Sequence, residues 1–263
     1  VSIRIMQAVG PKYVQDYLVR FGFDRERQPP VLPLALGAGS VTPLQLASAY
    51  AVFANGGYRV PPYIIDRVTD STGKVIMQAK PVVAGDAAAR VIDARTAYVM
   101  NDMLRGVATS GTGARAHREL KRNDIGGKTG TTNDSHDAWF AGFTPATVGV
   151  VWMGYDQPRS LGGSETGGGL ALPIWIEYMR HALKDVPEAP VPPPPPGLNR
   201  INGDFYFAEY PPGQAVARVG LPAPSDALLG PGGGSFGDGI TDLLNQLRAG
   251  TEERHRHADP IPF

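Results

Sequence analysis

The sequence predicts an α+β fold, in which helices pack on an antiparallel sheet. Three segments have the apolar character of β-strands and are joined by short turns, which predicts an antiparallel meander. Helical patterns lie before and after these segments, where their apolar faces can cover the sheet. The predicted strands are residues 124–131, 138–143 and 147–154.

The composition excludes several classes of function. The chain has 263 residues, with 25 Lys and Arg against 25 Asp and Glu, so its charge does not favour nucleic acid or an anionic membrane surface as a partner. It has no cysteine, which excludes disulfides, zinc–cysteine sites and thiol catalysis. No apolar run approaches the ~18 residues that a membrane-spanning helix needs.

The first part of the chain is predicted to be mainly helical. A helical pattern covers residues 1–22 and is interrupted at Gly10, which a proline follows, while the proline-containing residues 23–41 are predicted as a loop. The next helix begins at Thr42–Gln45, because threonine can cap a helix, proline suits its first position and glutamine completes a capping box. It ends at Asn55–Gly57.

A β-hairpin and a second long helix are predicted next. The hairpin has strands at Tyr63–Ile65 and Val75–Met77 and a turn at Asp70–Gly73. The helix runs from about Asp93, which can cap its N-terminus, to Gly106. Its predicted apolar stripe is Val99, Met100, Met103, Leu104 and Val107.

The composition changes after the last predicted helix. That helix runs from about Pro173 to Lys184, and its predicted sheet-facing residues are Trp175, Tyr178, Met179 and Ala182. Residues 1–185 are therefore predicted as the folded domain. Three predicted segments follow it: a proline-rich linker at 186–197, a small extended or β segment at 198–220, and a largely disordered Gly-, Pro- and charge-rich tail at 221–263.

The segment Gly126–Thr132 places an amine and hydroxyls between glycines inside a predicted strand. Glycine weakens a strand interior and usually marks a close approach of a ligand or another backbone. Strand periodicity places Thr129 and Thr131 on one face, where two hydroxyls can hold a carboxylate, and Lys128 on the other. An exposed edge there can pair with an extended peptide, and the Thr131 backbone N–H can donate to a developing oxyanion.

Two other interpretations of this segment stay open. It is compatible with an ordinary glycine-rich strand that carries a solvated lysine. Gly127-Lys128-Thr129 also resembles the end of a phosphate-binding loop. That motif requires glycine where Arg122 stands and a helix after the lysine, whereas a strand is predicted to follow here.

Seven segments, each modest alone, follow one another in a specific order. They are Val1–Arg4, Leu36–Ala47, Ala49–Gly57, Gly111–Gly113, Gly127–Thr132, Asp137–Gly142 and Val151–Asp156. Lys-Thr-Gly within them is one of the three motifs of the penicillin-recognising serine enzymes. Together, over residues 1–184, they resemble the second half of the transpeptidase domain of class A (bifunctional) penicillin-binding proteins of the 1A type.

The resemblance implies a fold of the serine β-lactamase and penicillin-binding transpeptidase type, with a helical subdomain beside the sheet and incomplete here at its N-terminus. It implies a serine acyl-transfer enzyme that cross-links peptidoglycan stem peptides and is acylated by β-lactams. Lys128, through the electrostatics of the proton relay, and Thr131, through its backbone N–H, are then expected to act in catalysis. The residues expected to bind substrate are Thr129, Gly130, Thr131 and Thr132.

The resemblance also has implications for the wider protein. It implies a glycosyltransferase domain, an upstream membrane anchor and a location at the periplasmic face of the bacterial inner membrane. Cell-wall synthesis proteins are candidate partners of the tail, and the loop Ser110–Gly113 is expected near the cleft. No cofactor is expected. No metal is expected either, since His255 and His257 alternate with arginines in the tail without a fixed scaffold.

The chain departs from the family in lacking a nucleophile. Before Lys128, only Ser71 is followed three residues later by a lysine, and it lies in a predicted turn, whereas the nucleophile should open a buried helix. The family's Ser-x-Asn motif is missing too, and it directly precedes a segment like Val1–Arg4. We therefore expect the chain to begin just after that motif, with the acylated serine upstream.

Two other functions compete with a transpeptidase fragment. The chain can be a non-catalytic interaction or scaffold module, in which Gly126–Thr132 is an ordinary strand. A single-domain β-lactamase or D,D-carboxypeptidase shares the three motifs, but the segments between residues 30 and 80 and the long tail argue against it. The sequence that precedes Val1 discriminates between these functions.

Overall fold

A computed structural model describes residues 1–85 and 90–213 of the chain. Within them the chain forms α-helices and antiparallel sheets, which confirms the predicted α+β class. The predicted disordered tail at 221–263 lies outside the described residues, and so do His255 and His257.

The bounds of the elements are as follows. The helices are α1 (Ser2–Val9), α2 (Pro11–Leu18), α3 (Pro43–Ala54), α4 (Ala94–Thr109), α5 (Ala114–Leu120) and α6 (Leu172–Ala182). The strands are β1 (Arg67–Thr69), β2 (Val75–Gln78), β3 (Gly126–Thr131), β4 (Ala138–Phe143), β5 (Val148–Met153), β6 (Leu198–Ile201) and β7 (Asp204–Phe207).

The central sheet is the antiparallel meander that the sequence predicts, in the order β3-β4-β5. Ala141 in the middle strand pairs with Lys128 on one side and Val150 on the other. Among the strands of the described part, β3 has a partner on one side only. It is therefore an edge strand, and one row of its backbone groups is left unpaired by the sheet.

One face of the sheet packs against α6. The Phe140 and Trp175 rings meet edge to face at 5.0 Å, both fully buried, and the Trp175 indole N–H donates to Gly149 O at 3.0 Å. The predicted stripe of this helix is partly wrong, because Tyr178 is 60% exposed and Ala182 is exposed too. The buried residues instead follow a spacing of three or four: Leu172, Trp175, Ile176, Met179 and Leu183.

The opposite face packs against α3. The Tyr50 ring meets the Phe143 ring at 6.4 Å, and Phe143 is three residues from Phe140, so it faces the other side of the sheet. The predicted capping box is confirmed: the Gln45 N–H donates to Thr42 Oγ1 at 3.2 Å, and the Thr42 N–H donates to Gln45 Oε1 at 2.9 Å. These bonds satisfy N–H groups that would have no partner within the helix.

The helix α4 lies beside β3 and is followed by a short helix that the sequence analysis missed. Asp93 caps α4 as predicted, since its carboxylate accepts the Arg95 N–H at 2.9 Å. Met103 is 60% exposed, so its predicted place in the apolar stripe is wrong. The buried residues of α4 are Ala97, Leu104 and Ala108. The missed helix, α5, buries only Ala116, and one buried alanine produces no periodic apolar signal.

The predicted hairpin forms, but its first strand is β1 rather than Tyr63–Ile65. Asp70 Oδ1 accepts the N–H groups of Thr72 at 2.9 Å and Lys74 at 3.0 Å, which fixes a tight turn. The residues next to this turn therefore pair, and Tyr63–Ile65 is too far along the chain to do so. Ser71 lies in this exposed turn, as expected of a serine that is not the nucleophile.

The predicted linker at 186–197 lies along the folded body. The Arg122 guanidinium donates to Val186 O at 2.7 Å and to Pro187 O at 3.0 Å, and Asp124 accepts the Ala189 N–H at 3.0 Å. Beyond the linker, β6 and β7 pair as an antiparallel hairpin. The end of the predicted segment 198–220, from residue 214, lies outside the described residues. The Arg95–Glu209 ion pair, at 2.8 Å, joins this unit to the start of α4.

Removing the Arg122 guanidinium should destabilise the fold. Arg122 and Asp124 form a two-pronged ion pair at 2.9 and 2.7 Å, their side chains are only 12% and 4% exposed, and the carboxylate raises the pKa of the guanidinium. Arg122→Met leaves the Asp124 charge buried and should lower the free energy of unfolding by about 3–5 kcal/mol in a urea titration.

A matched variant is Arg115→Met, which breaks the exposed Arg115–Glu119 pair within one helix. Pairs of this kind contribute about 0.5 kcal/mol or less. If Arg122→Met and Arg115→Met lower the free energy of unfolding equally, the buried Arg122–Asp124 pair does not have the stabilising role described above.

The stability of the fold should also depend on Tyr50 at high pH. Burial raises the pKa of Tyr50 from 10.0 to about 12. The contribution of neutral Tyr50 to the free energy of unfolding is fully present below pH 10 and is lost as the pH rises toward 12. The reason is that the Tyr50 phenol loses its proton at a lower pH in the unfolded chain than in the folded one. The urea midpoint should therefore fall less between about pH 9 and pH 11 in Tyr50→Phe than in the native chain. The control is Tyr13→Phe, at a side chain that is 59% exposed. Its urea midpoint should fall as much between these two pH values as that of the native chain.

Candidate functional site

The backbone of β3 presents Thr129 and Thr131 at the open edge of the sheet. The Thr132 N–H donates to Asp137 O at 3.1 Å, on the side of the strand that faces β4. Every second residue of β3 hydrogen-bonds to β4 in this way, so the next residues whose backbone N–H and C=O face β4 are Gly130 and Lys128. In an antiparallel pair such residues alternate with residues whose N–H and C=O point away. The Thr131 N–H therefore points outward, where the oxyanion prediction requires it.

The Lys128 amine reaches the edge although its side chain leaves the strand on the face opposite Thr129. Its Nζ donates to Thr129 O at 2.7 Å and lies 3.2 Å from Thr129 Oγ1. The flexible lysine stem bends around the strand edge to make these contacts. The structure thus brings the Lys128 amine, which carries a positive charge, next to the Thr129 hydroxyl.

The two threonine hydroxyls are each held by a neighbouring loop. Thr129 Oγ1 lies 2.9 Å from Thr112 Oγ1, and Thr131 Oγ1 accepts the Gly167 N–H at 3.1 Å. Thr112 belongs to the loop Ser110–Gly113, so this loop touches the site directly. The sequence predicts this loop near the cleft but gives no signal for the Thr112 contact, because that contact joins residues 17 positions apart in the chain.

The glycines of β3 are explained mainly by packing within the sheet. A Cβ on Gly126 would lie 2.6 Å from the Phe143 ring, and one on Gly127 would lie 2.8 Å from both Ala141 O and the Phe140 ring. At Gly130 a Cβ would be 3.2 Å from the nearest atom, the Trp139 Cβ. The two first glycines are thus required by the aromatic core, and only Gly130 borders the predicted binding residues.

A turn of π-helix, Gly167–Ala171, covers the sheet next to Thr131 and was not singled out in the sequence. A Cβ on Gly167 would lie 2.2 Å from Trp139 O and 2.5 Å from Gly130 O, so the turn rests directly on the backbone of β3 and β4. The Thr166 hydroxyl caps it by accepting the Gly169 N–H at 3.1 Å. The three consecutive glycines were the available signal for this close approach.

Thr132, predicted to bind substrate, has a role in closing the loop between β3 and β4. Its Oγ1 accepts the Asp137 N–H at 2.8 Å. The Asp137 carboxylate in turn accepts the Trp152 indole N–H at 2.8 Å, which ties the loop to β5. The structure therefore gives Thr132 a structural role, while its contact with substrate stays a prediction.

Comparison with known proteins identifies the family of this chain. Residues 1–175 match the family described as the penicillin binding protein transpeptidase domain. The chain belongs to this family. The transpeptidase family membership confirms the resemblance on which the site prediction rests and the fold class that it implies.

Relatives of this transpeptidase domain are penicillin-binding proteins 1A. The one from Neisseria lactamica is 48% identical over 210 residues, which is 80% of this chain and 26% of the relative. The one from Neisseria meningitidis strain Z2491 is 42% identical over 257 residues, which is 96% of this chain and 32% of the relative. The chain thus spans about a third or less of the length of these relatives.

A solved structure shows the same fold. The crystal structure of penicillin-binding protein 1A from Haemophilus influenzae matches with a TM-score of 0.72 and 35% identity, over 79% of this chain and 38% of that chain. Across residues 1–85 and 90–213 of the transpeptidase chain, no helix has the length and apolar character that crossing a bilayer requires.

Replacing Gly167 should disturb the turn that holds Thr131. Gly167→Ala introduces a Cβ against two backbone oxygens, which cannot move without separating the turn from the sheet. Overpacking of this kind costs about 1–3 kcal/mol, which a urea titration would detect. Gly163→Ala is the control, because a Cβ there meets no atom within 4 Å, and a loss as large as that of Gly167→Ala would refute the explanation.

Proposed function

We propose that this chain supplies the carboxylate-binding and oxyanion-binding part of a peptidoglycan D,D-transpeptidase, which is acylated on a serine upstream of the chain. The proposal rests on one observation above all. The Thr129 and Thr131 hydroxyls, the outward Thr131 N–H and the Lys128 amine converge on one open strand edge. Family membership over residues 1–175 supports the same assignment.

The geometry suits a peptide that ends in a carboxylate. An extended peptide can pair with the outward N–H and C=O groups of β3, as strands add to a sheet edge. The Thr129 and Thr131 hydroxyls then donate to its terminal carboxylate, and the Lys128 charge lies 3.2 Å from the Thr129 hydroxyl to offset that negative charge. A D-Ala-D-Ala stem peptide has this chemistry, and so does a penicillin.

The reaction would proceed through an acyl-enzyme. The serine oxygen attacks the carbonyl carbon of the penultimate D-Ala, and the Thr131 N–H donates to the oxyanion that forms. The C–N bond to the terminal D-Ala then breaks, and this residue leaves with a proton on its amine. An amine of a neighbouring stem peptide attacks the ester and releases the serine, while the Lys128 charge favours the proton transfers of these steps.

The 1A-type relatives support a wider role of the whole protein. We propose a location at the periplasmic face of the bacterial inner membrane, with an anchor and a glycosyltransferase domain in the part of the protein that precedes this chain. Stem peptides and β-lactams are the proposed ligands of the site, and cell-wall synthesis proteins are proposed partners of the tail.

Labelling with a fluorescent penicillin tests the proposed function. The chain alone should not be labelled covalently, because the acylated serine is not in it, whereas the full-length protein should be labelled. In the full-length protein, Thr131→Val should slow acylation about 10- to 100-fold, since a hydrogen bond to a charged group contributes about 1.5–3 kcal/mol.

Two variants control this experiment. Thr131→Ser keeps the hydroxyl and should retain most of the rate. Thr109→Val removes a hydroxyl that bonds only to helix carbonyls of α4, at 3.0 and 3.3 Å, and should leave acylation unchanged. Stable labelling of the chain alone would show that the nucleophile has been wrongly placed, and a full-length protein that is never labelled would overturn the proposed function.

A further inference from the structure

The hydroxyl of Thr112 contacts the candidate site from outside the Lys-Thr-Gly strand. It lies 2.9 Å from Thr129 Oγ1. Its loop is firmly attached to the end of α4: the N–H groups of Gly111 and Gly113 both donate to Val107 O at 3.1 Å. A Cβ on Gly111 would lie 2.9 Å from Val107 Cα, which shows how closely the loop packs. Thr112 is therefore held in place by rigid backbone, although its own side chain is exposed.

The Thr129 side chain is fixed from two sides. A Cβ on Gly168 would lie 3.8 Å from the Thr129 methyl carbon, so this methyl faces the glycine turn while the hydroxyl faces Thr112. The Lys128 amine approaches the same hydroxyl oxygen at 3.2 Å. Two hydrogen-bond partners, Thr112 and Lys128, thus hold the Thr129 hydroxyl in this orientation.

The hydrogen-bonding capacity of these groups limits what Thr129 can do. A hydroxyl has one proton to donate and two lone pairs that accept. The Lys128 ammonium can only donate, so it occupies one lone pair of Thr129 Oγ1. When the Thr112 hydroxyl donates to the second lone pair, the Thr129 hydroxyl has no acceptor site left and its proton must go to the ligand.

We propose that Thr112 is a positioning residue that makes Thr129 a donor only, and thereby selects ligands with a carboxylate over ligands with a carboxamide. A carboxylate has acceptors alone and satisfies this arrangement, whereas a carboxamide also presents N–H groups that would find no acceptor at Thr129. Without the Thr112 hydroxyl, Thr129 regains an acceptor site and can serve either group. The assignment rests on the function proposed above for Thr129.

The test compares two penicillins in the full-length protein, one with its free carboxylate and one in which this group is a carboxamide. The measured quantity is the ratio of their second-order acylation rate constants. In Thr112→Val the carboxylate preference should fall about tenfold, because one unmatched polar contact corresponds to roughly that factor. Thr112→Ser keeps the hydroxyl and should keep the native ratio.

Two controls separate positioning from damage to the fold. Thr112→Ala removes the hydroxyl without the branched side chain and should reproduce the lowered ratio if Thr112→Val folds poorly. Thr109→Val, in the same stretch of chain but outside the site, should keep the native ratio.

The possible outcomes are distinct. An unchanged ratio in Thr112→Val and Thr112→Ala, or equal slowing with both penicillins, overturns the role of Thr112 alone. A Thr112→Ser variant that behaves like Thr112→Val also overturns it, because the hydroxyl would then not be the active group. If the native protein reacts with neither penicillin, the proposed function fails, and the role of Thr112 fails with it.

Discussion

The antiparallel pairing of β3 with β4 determines which groups of the Lys-Thr-Gly strand are available for chemistry. Each residue from Gly126 to Thr131 has a partner in β4, and the alternation of the ladder leaves the N–H and C=O groups of Thr129 and Thr131 at the free edge. This register depends on glycines, because side chains at Gly126 and Gly127 would collide with Phe143 and Phe140. The aromatic core and the open edge of β3 are therefore two consequences of one strand pairing.

The edge is also organised before any ligand arrives. Thr112 and Lys128 hydrogen-bond with the Thr129 hydroxyl. The Gly167 N–H donates to the Thr131 hydroxyl. Groups that are already oriented need no reorganisation when charge develops, which is how fixed dipoles lower a reaction barrier. The loops that provide these contacts are themselves fixed on α4 and on the sheet. The site thus depends on packing some distance from its reactive atoms.

Features that depend on residues close together in the chain were predicted correctly from the sequence, and features that depend on tertiary packing were predicted less well. The capping box at Thr42, the cap at Asp93 and the three-strand meander were predicted correctly, because each depends on residues that are close in the chain. The buried stripes of α4 and α6 were predicted with errors, since the sheet decides which side of a helix is covered. Tyr178 and Met103 are apolar enough for a core but face away from it.

The sequence alone determined the α+β class, the family and the identity of the Lys128, Thr129 and Thr131 groups, because short-range patterns and motifs carry that information. Only the tertiary structure decided how these groups meet. In the folded chain the Lys128 side chain bends around the strand edge, and Thr112 contacts Thr129, which is 17 residues further along the chain. The Thr132 hydroxyl hydrogen-bonds within the loop that follows β3. These contacts join segments that are separate in sequence, and their geometry follows from the packing of the sheet against its helices and loops.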